Sequence, residues 1–449
     1  MKSKFLIIIL FQALFFVAHA QKTRLDDYIK EGISNNHQLK QEHFNLEKNL
    51  LALEEAKALK AINVNLSGTY TLGYGGRQID FPLGDLFNGA YSALNQLTKT
   101  NNFPQLENQR ITLNPYNFYD VKFRSTYPII NAEIKINERA KAEMIPFKQA
   151  EINVFKRELA KDIKVSYFRF LQANQAVSIF ENAIKLLNDL KKVNQSLVSN
   201  GIGLPALLVR SNSEIIKIEA QKTEAENNRK NAAAYFNFLI GKNFTEEIFI
   251  DTTYLSHNQH FIKEIKADIK NREELQKLQS AAKLSEVALD YQKAYFKPKL
   301  NTFVDLGAQG FIYPTNHLPF YVFGGLQFDY PIYDAKRDKK RVEMAQKDIA
   351  ALNEQSENVE NQLNLQLTVA VNTYLSAVTI YESTQAQVTL TKRYYNDLLK
   401  RYREGTALLI ELNEAQTQLL NAQLLQSISL SNAWVKLAEL ERASAGYAF

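Results

Sequence analysis

The chain of 449 residues contains no cysteine. Disulfides therefore cannot stabilise it, and no N-terminal cysteine is available for acylation by lipid. After its N-terminal segment the chain also lacks any run of eighteen apolar residues, which argues against a membrane-spanning helix. The net charge is +6, with acidic and basic residues interspersed and no basic block. We therefore expect no nucleic-acid partner.

Motifs that carry catalysis are missing as well. The sequence has neither a nucleophile elbow nor a phosphate-binding loop. His257 and His260 are three residues apart, but no cysteine and no obvious carboxylate partner accompanies them. A zinc site needs three or four such ligands. We therefore predict a protein that is not an enzyme and that holds no metal or cofactor.

The first twenty residues have the pattern of a signal peptide. Lys2 and Lys4 precede an apolar run over residues 5–17, and Ala18-His19-Ala20 has the small residues of a cleavage site. The apolar run is too short to cross a bilayer as a helix. We predict removal of residues 1–20, with an uncleaved anchor as the alternative.

Short motifs recur in the same order in the two halves of the chain, which indicates a duplicated unit. We predict a first repeat over residues 21–241, a connector over 242–260 and a second repeat over 261–449. The recurring pairs are Tyr127-Pro128-Ile129 with Tyr330-Pro331-Ile332, and Ala206-Leu207-Leu208 with Ala407-Leu408-Leu409. The first repeat carries extra residues, rich in Gly and Asn, which we predict to form a long loop over about 75–118.

Each repeat has the pattern helix, strand, strand, long helix, turn, helix. Leading helices are predicted over 24–60 and 261–296, long helices over 132–200 and 335–404, and return helices over 205–240 and 406–443. The second long helix keeps an alternating spacing of four and three residues, typical of a left-handed coiled coil. Its seam contains Leu363, Leu367, Ala370, Tyr374, Ala377, Tyr381, Thr384, Val388, Thr391, Tyr395, Leu398 and Tyr402. A solvated helical rod is the alternative interpretation.

Strands are predicted near residues 63–75, 117–129, 300–312 and 320–332, where apolar and polar residues alternate. Their length and their terminal aromatic residues suit tilted membrane strands, although a soluble sheet with one wet face alternates in the same way. Four strands cannot close a barrel, and an open edge is not tolerated in lipid. We therefore predict a trimer with a twelve-stranded barrel.

With these features the chain resembles the TolC-like outer membrane efflux protein family over nearly its whole length. The resemblance depends on the duplication, on the Tyr-Pro-Ile motif before each long helix, and on the segment 402–406 that leads into 410–415. It implies a mostly α fold with a small β part, in which a homotrimer joins an outer-membrane barrel to a long α-helical barrel across the periplasm. It also implies contact with outer-membrane lipid, an inner-membrane pump and a periplasmic adaptor.

The resemblance assigns roles to residues near the two helical turns. Tyr402 matches a tyrosine that holds the periplasmic entrance shut, and Glu411 and Glu414 match positions that form acidic rings there. A tyrosine that only fills the seam and a solvated acidic face are the alternatives. The turns themselves, at Gly201, Gly203, Leu204, Gly405 and Thr406, are expected to dock the adaptor.

The chain also departs from the family. Ala407 stands where the family has an entrance arginine, and Val209 or Arg210 stands where it has an aspartate. The family's charge latch is therefore absent. The function implied is that of a passive export duct in an efflux or type I secretion system, and a periplasmic coiled-coil adaptor or scaffold is the alternative.

Overall fold

A computed structural model of the chain describes residues 24–112, 117–255, 261, 267–311 and 319–447. The predicted signal peptide lies outside these residues, as do His257 and His260. The chain divides into two units. The helical unit comprises the described residues within 1–50, 142–286 and 347–449, and the sheet unit comprises those within 51–141 and 287–346.

The fold is mostly helical with a small sheet, as the sequence predicts. The described residues contain helices α1 to α8, which are Arg24–Asn35, His37–Ala58, Leu83–Thr98, Ala132–Ser199, Ala206–Ile240, Glu273–Ala294, Arg337–Arg403 and Leu409–Ala443. They also contain strands β1 to β6, which are Asn63–Thr71, Gln78–Phe81, Gln109–Thr112, Phe118–Ile130, Lys299–Phe311 and Phe320–Asp329. None of these helices has an apolar stretch of the length that a bilayer crossing requires.

The seam on α7 supplies much of the core of the helical unit. Ten of its twelve side chains are buried, and Val388 and Thr391 are half-buried. Tyr374 and Tyr381 are at most 1% exposed. The seam therefore packs aromatic and small side chains among its leucines.

Two predicted leading helices need correction. The first is broken at Asn36, whose side-chain oxygen accepts a hydrogen bond from the Leu39 N–H at 2.9 Å and so caps α2. The second, α6, begins at Glu273 rather than at residue 261. Just before it, the Asp268 carboxylate accepts a hydrogen bond from the Lys270 N–H at 3.1 Å, a local turn that competes with helix.

The described part of the connector makes hydrogen bonds to tyrosine side chains. Residues 247–250 have strand-like composition, but they are not a strand in the described chain. The Phe249 N–H donates to the Tyr28 hydroxyl at 3.0 Å, and the Tyr167 hydroxyl donates to the Phe249 carbonyl at 3.1 Å. Tyrosine side chains therefore take the backbone hydrogen bonds that a neighbouring strand would otherwise take.

The sheet unit contains four antiparallel strands in the order β1-β4-β5-β6. Its register pairs Leu66 with Phe123, Phe123 with Leu306 and Leu306 with Val322, so an apolar row crosses the whole sheet. The same register sets Arg124 opposite Asp305 on the other face, where they form an ion pair at 2.5 Å. One face of the sheet is thus apolar and the other contains charged pairs.

The extra residues of the first repeat do not form the predicted loop without structure. They contain the strands β2 and β3, which pair with each other in an antiparallel sheet, and the helix α3 between them. The prediction failed here because the Gly and Asn residues suggest turns, whereas several of these asparagines bond to backbone groups across the segment. Residues 113–116, within the predicted loop, lie outside the described residues.

Candidate functional site

The two turns between paired helices have the same backbone design. Gly201 and Gly405 follow α4 and α7 with φ near +75°, a conformation that glycine adopts without strain. The Ile202 N–H donates to the Leu197 carbonyl at 3.0 Å, and the Thr406 N–H donates to the Arg401 carbonyl at 2.9 Å. Both hydrogen bonds are typical of a Schellman motif, which ends a helix tightly and turns the chain back.

Apolar side chains at these turns are exposed to solvent in the single chain. Ile202 and Leu204 are 78% and 73% exposed at the first turn, and Leu408 is 66% exposed at the second. Gly203 lies between them in a tight space, where an added Cβ would approach Leu197 and Leu207 to 3.2 Å. The turns thus combine a fixed backbone with an accessible apolar surface, as a docking site requires.

A buried chain of hydrogen bonds joins three helices next to the turns. The Tyr402 hydroxyl on α7 donates to the Asn194 Oδ1 on α4 at 2.5 Å. The Asn194 Nδ2 donates to the Ser211 Oγ on α5 at 2.8 Å, and the Ser211 hydroxyl donates to the Leu207 carbonyl at 2.8 Å. Each polar group in this chain has a partner, so the buried polar atoms impose little penalty while they stay paired.

The surroundings of Tyr402 are apolar. It belongs to a buried cluster with Leu190, Tyr395, Leu398, Leu409, Leu412, Ala415 and Leu419. Burial raises the pKa of Tyr402, so its hydroxyl stays protonated and can donate to Asn194. Tyr402 therefore both fills the seam and makes a specific hydrogen bond between two helical hairpins.

Glu411 and Glu414 are exposed near the start of α8. The Glu411 Oε2 accepts a hydrogen bond from the Leu408 N–H at 2.9 Å. This carboxylate therefore pairs with a backbone N–H at the helix start that has no partner within the helix. Glu414 has a longer contact of 3.5 Å with the Gln418 side chain. Both carboxylates reach solvent in the single chain, and Glu411 also stabilises its own helix.

Asn194 and Ser211 belong to this site although the sequence did not single them out. Asn194 occupies a core position on α4, since it follows Leu187 and Leu190 and precedes Leu197 at the same spacing of three and four residues. A single asparagine in a coiled-coil core often sets the register of the helices. This polar residue in an apolar pattern could have indicated a buried hydrogen bond, but the pattern does not identify Tyr402 on α7 as the partner.

A second polar cluster stabilises the helical unit. Arg442 on α8 donates to Glu158 on α4 at 2.8 Å and to Glu274 on α6 at 2.6 Å, and Arg272 also donates to Glu274 at 2.8 Å. Burial alone would raise the pKa of Glu274, but the two arginines outweigh it and lower the pKa to about 2. The cluster lines a cavity of 710 Å³. We interpret its ion pairs as contacts that hold α4, α6 and α8 together.

The described residues contain no group of three potential metal ligands. His257 and His260 lie outside those residues. The residues that the structure brings together near the turns are suited to holding helices in register and to docking, and they include no arrangement of nucleophile and base.

By sequence, the chain matches no family model and no curated protein. By structure, it is similar to solved outer-membrane channels that belong to the TolC family. The open state of the MtrE channel of Neisseria gonorrhoeae matches with a TM-score of 0.71 and 15% identity, over 94% of this chain and 88% of that one. The CmeC channel of Campylobacter jejuni matches with a TM-score of 0.70 and 15% identity, over 94% and 85%.

A third structure, the outer membrane protein VceC of Vibrio cholerae, matches with a TM-score of 0.66 and 13% identity over 94% of this chain and 95% of that one. At such low identity the likeness concerns the fold. The resemblance that the duplicated motifs indicate is thereby confirmed at that level, and the chain has the fold of the TolC-like outer-membrane channels.

Proposed function

We propose that the chain is one protomer of a trimeric channel-tunnel in the outer membrane, which passively exports solutes or polypeptides. An inner-membrane pump would supply them through a periplasmic adaptor. The fold supports this proposal, and the apolar face of the sheet is the observation that carries it. Leu66, Phe123, Leu306 and Val322 form one row across the sheet and are between 51% and 69% exposed.

Such a face is a liability in water, because large contiguous apolar patches drive association. In a bilayer the same face would contact lipid. The opposite face, with Arg124 paired to Asp305 and Lys122 paired to Asp120, would line a water-filled lumen. Alternation of an apolar outer face with a polar inner face is the pattern of a transmembrane β-barrel.

The edges of the sheet support the trimer. Among the described strands, β1 and β6 each have a neighbour on one side only. Lipid offers no hydrogen bonds to an open strand edge, so β6 of one protomer would pair with β1 of the next. Three copies of four strands would close a barrel of twelve strands. The helical unit would then form the wall of a tunnel in the periplasm.

The turns would face the inner membrane and receive the adaptor. The exposed side chains Ile202, Leu204 and Leu408 would provide the apolar contact, and Gly201 and Gly405 would hold the backbone in shape. The hydrogen bonds of Tyr402 and Asn194 would hold the two hairpins together at a closed entrance. Since Ala407 provides no charge there, this neutral pair would replace the family's charge latch.

Glu411 and Glu414 would form two acidic rings at the entrance. Three residues apart on α8, they share one face of the helix. Threefold symmetry would bring six carboxylates towards the axis, and such rings attract cations. The hydrogen bond from the Leu408 N–H would hold the Glu411 carboxylate near the start of the helix.

The mass of the protein in mild detergent tests the proposal. We expect it to fractionate with the outer membrane, to need detergent for extraction and to have about three times the monomer mass. A stable monomer in mild detergent would contradict the twelve-stranded barrel. A protein released in water-soluble form from the periplasm would instead favour the adaptor or scaffold function.

Crosslinking tests the docking of the adaptor. The chain has no cysteine, so a single cysteine introduced at Leu204 or Thr406 gives an unambiguous crosslinking site. We expect either variant to crosslink to an adaptor in cells. If membrane-impermeant reagents label these cysteines from outside intact cells, the turns face the wrong side and the docking proposal fails.

A further inference from the structure

The insert, residues 75–112, folds through polar contacts. Asn88 and Asn95 are seven residues apart on α3 and share one face of the helix. Asn88 donates to the Leu106 carbonyl at 2.9 Å and accepts from the Leu106 N–H at 2.7 Å. Asn95 makes the same pair of bonds with the Phe103 backbone, at 2.8 and 3.1 Å. Residues 103–106 therefore lie along the polar face of α3.

The start of α3 is fixed in the same way. The Asn108 Oδ1 accepts hydrogen bonds from the N–H groups of Gly84 and Asp85 at 3.0 and 3.2 Å, and its Nδ2 donates to the Asp85 carboxylate at 3.0 Å. Gly84 lies so close to residues 103–106 that an added Cβ would stand 2.5 Å from the Leu106 carbonyl oxygen. The polar face of the helix is thus already occupied by its own chain.

The apolar face of α3 points away from these contacts. Leu86 is 63% exposed, Phe87 44%, Leu94 39% and Leu97 81%. This arrangement is the reverse of an ordinary surface helix, which buries its apolar face and exposes its polar face. The side chains on this face repeat at spacings of four and three residues, as in a coiled-coil seam, and all but the half-buried first one are exposed: Leu83, Phe87, Ala90, Leu94 and Leu97.

The position of the insert in the chain indicates what could cover this seam. It connects the end of β1 to the start of β4, while α2 precedes β1 and α4 follows β4. Because β1 and β4 are antiparallel, the insert joins them at one end of the pair, and the helices α2 and α4 join them at the other end. If the proposed trimer is correct, three inserts lie at the outer mouth of one barrel, close to one another.

We propose that the three α3 helices pack together through this seam and cover the outer mouth of the channel. The occupant of each seam is thus a second copy of the same chain. Among residues 83–98 the only charged side chain is Asp85, so identical seams can meet with little repulsion. The absence of Lys and Arg from the helix disfavours an anionic lipid surface, which amphipathic helices bind through basic residues.

Disulfide crosslinking tests this cover, which depends on the proposed function because it needs the trimer. Ala90 lies in the centre of the seam, and Gln96 is exposed on the same helix outside the seam. The chain has no other thiol. We expect mild oxidation of the Ala90→Cys trimer to give several-fold more linked dimer on a denaturing gel than oxidation of Gln96→Cys.

The outcomes separate the cover from the proposed function. If both variants are trimers and Ala90→Cys links no better than Gln96→Cys, the cover is refuted and the channel proposal stands. If the protein is no trimer at all, the cover and the channel proposal both fail. A fluorophore on Ala90→Cys that nitroxide-labelled lipids quench in vesicles would place the seam on lipid and would also refute the cover.

Conductance in planar bilayers provides a second readout. A disulfide between Ala90→Cys helices would hold the cover closed, so we expect a reducing agent to raise the single-channel conductance. The Gln96→Cys channel should conduct equally before and after reduction. An oxidised, crosslinked Ala90→Cys channel whose conductance is unchanged by reduction would show that the helices meet without covering the passage, which would overturn the proposal.

Discussion

Removal of the Tyr402 hydroxyl tests whether the buried hydrogen-bond chain holds the entrance closed. The change Tyr402→Phe keeps the ring that packs in the cluster and deletes only the donor to Asn194. Asn194 is completely buried, so its oxygen would be left without that partner. An unsatisfied buried polar group costs about 1–3 kcal/mol.

If the bond is made only when the entrance is closed, that loss acts on the closed state. A difference of about 1–3 kcal/mol changes an equilibrium between two states by roughly 5–150-fold. We therefore expect the Tyr402→Phe channel to be open more often in planar-bilayer recordings. Because the same bond stabilises the folded helical unit, we also expect a lower melting temperature.

Tyr395→Phe is the matched control. Tyr395 precedes Tyr402 by one heptad and belongs to the same buried cluster, but its hydroxyl has no hydrogen bond to any side chain or backbone group in the described part of the chain. Its loss should change neither gating nor stability appreciably. If Tyr402→Phe behaves like Tyr395→Phe in both assays, the tyrosine only fills the seam.

The double variant Tyr402→Phe with Asn194→Leu gives a further check. Replacing both partners of a buried hydrogen bond by apolar groups can be nearly neutral for stability. Ser211 would keep its own bond to the Leu207 carbonyl. We therefore expect the double variant to regain part of the stability that Tyr402→Phe loses, while the channel stays easier to open.

Three further predictions concern other parts of the chain. The folded-state pKa of Glu274 is lowered from 4.5 to about 2, so its ion pairs should stabilise the protein above pH 4.5 and be lost as the pH falls towards 2. Glu274→Gln should therefore lower the melting temperature at neutral pH, and the difference from the parent should be smaller in acid. Leu66→Lys puts a charge on the face proposed to contact lipid, at a cost of about 2–4 kcal/mol near the bilayer centre, and should reduce the amount of folded trimer in membranes. Thr69→Lys, opposite Asp120 on the polar face, should be tolerated. Glu411→Gln combined with Glu414→Gln should reduce cation selectivity and weaken block by a trivalent cation, and unchanged selectivity would show that these carboxylates face away from the passage.

The sequence alone predicted the elements that depend on local periodicity. The seam of α7 could be read from its spacing, because burial of one face of a helix imposes a period near 3.5 residues on the apolar side chains. The alternating strands could be read for a similar reason, since neighbouring side chains in a strand point to opposite faces. The duplication located both helical turns and the residues beside them.

The tertiary structure decided which polar groups meet. Tyr402 and Asn194 are 208 residues apart in the chain, and nothing local to either position names the other. In the insert, asparagines that read as turn residues instead bond to backbone groups, which turns the apolar face of α3 outward. Hydrophobic periodicity is a property of each segment by itself, whereas a buried hydrogen bond depends on two segments that only folding brings together.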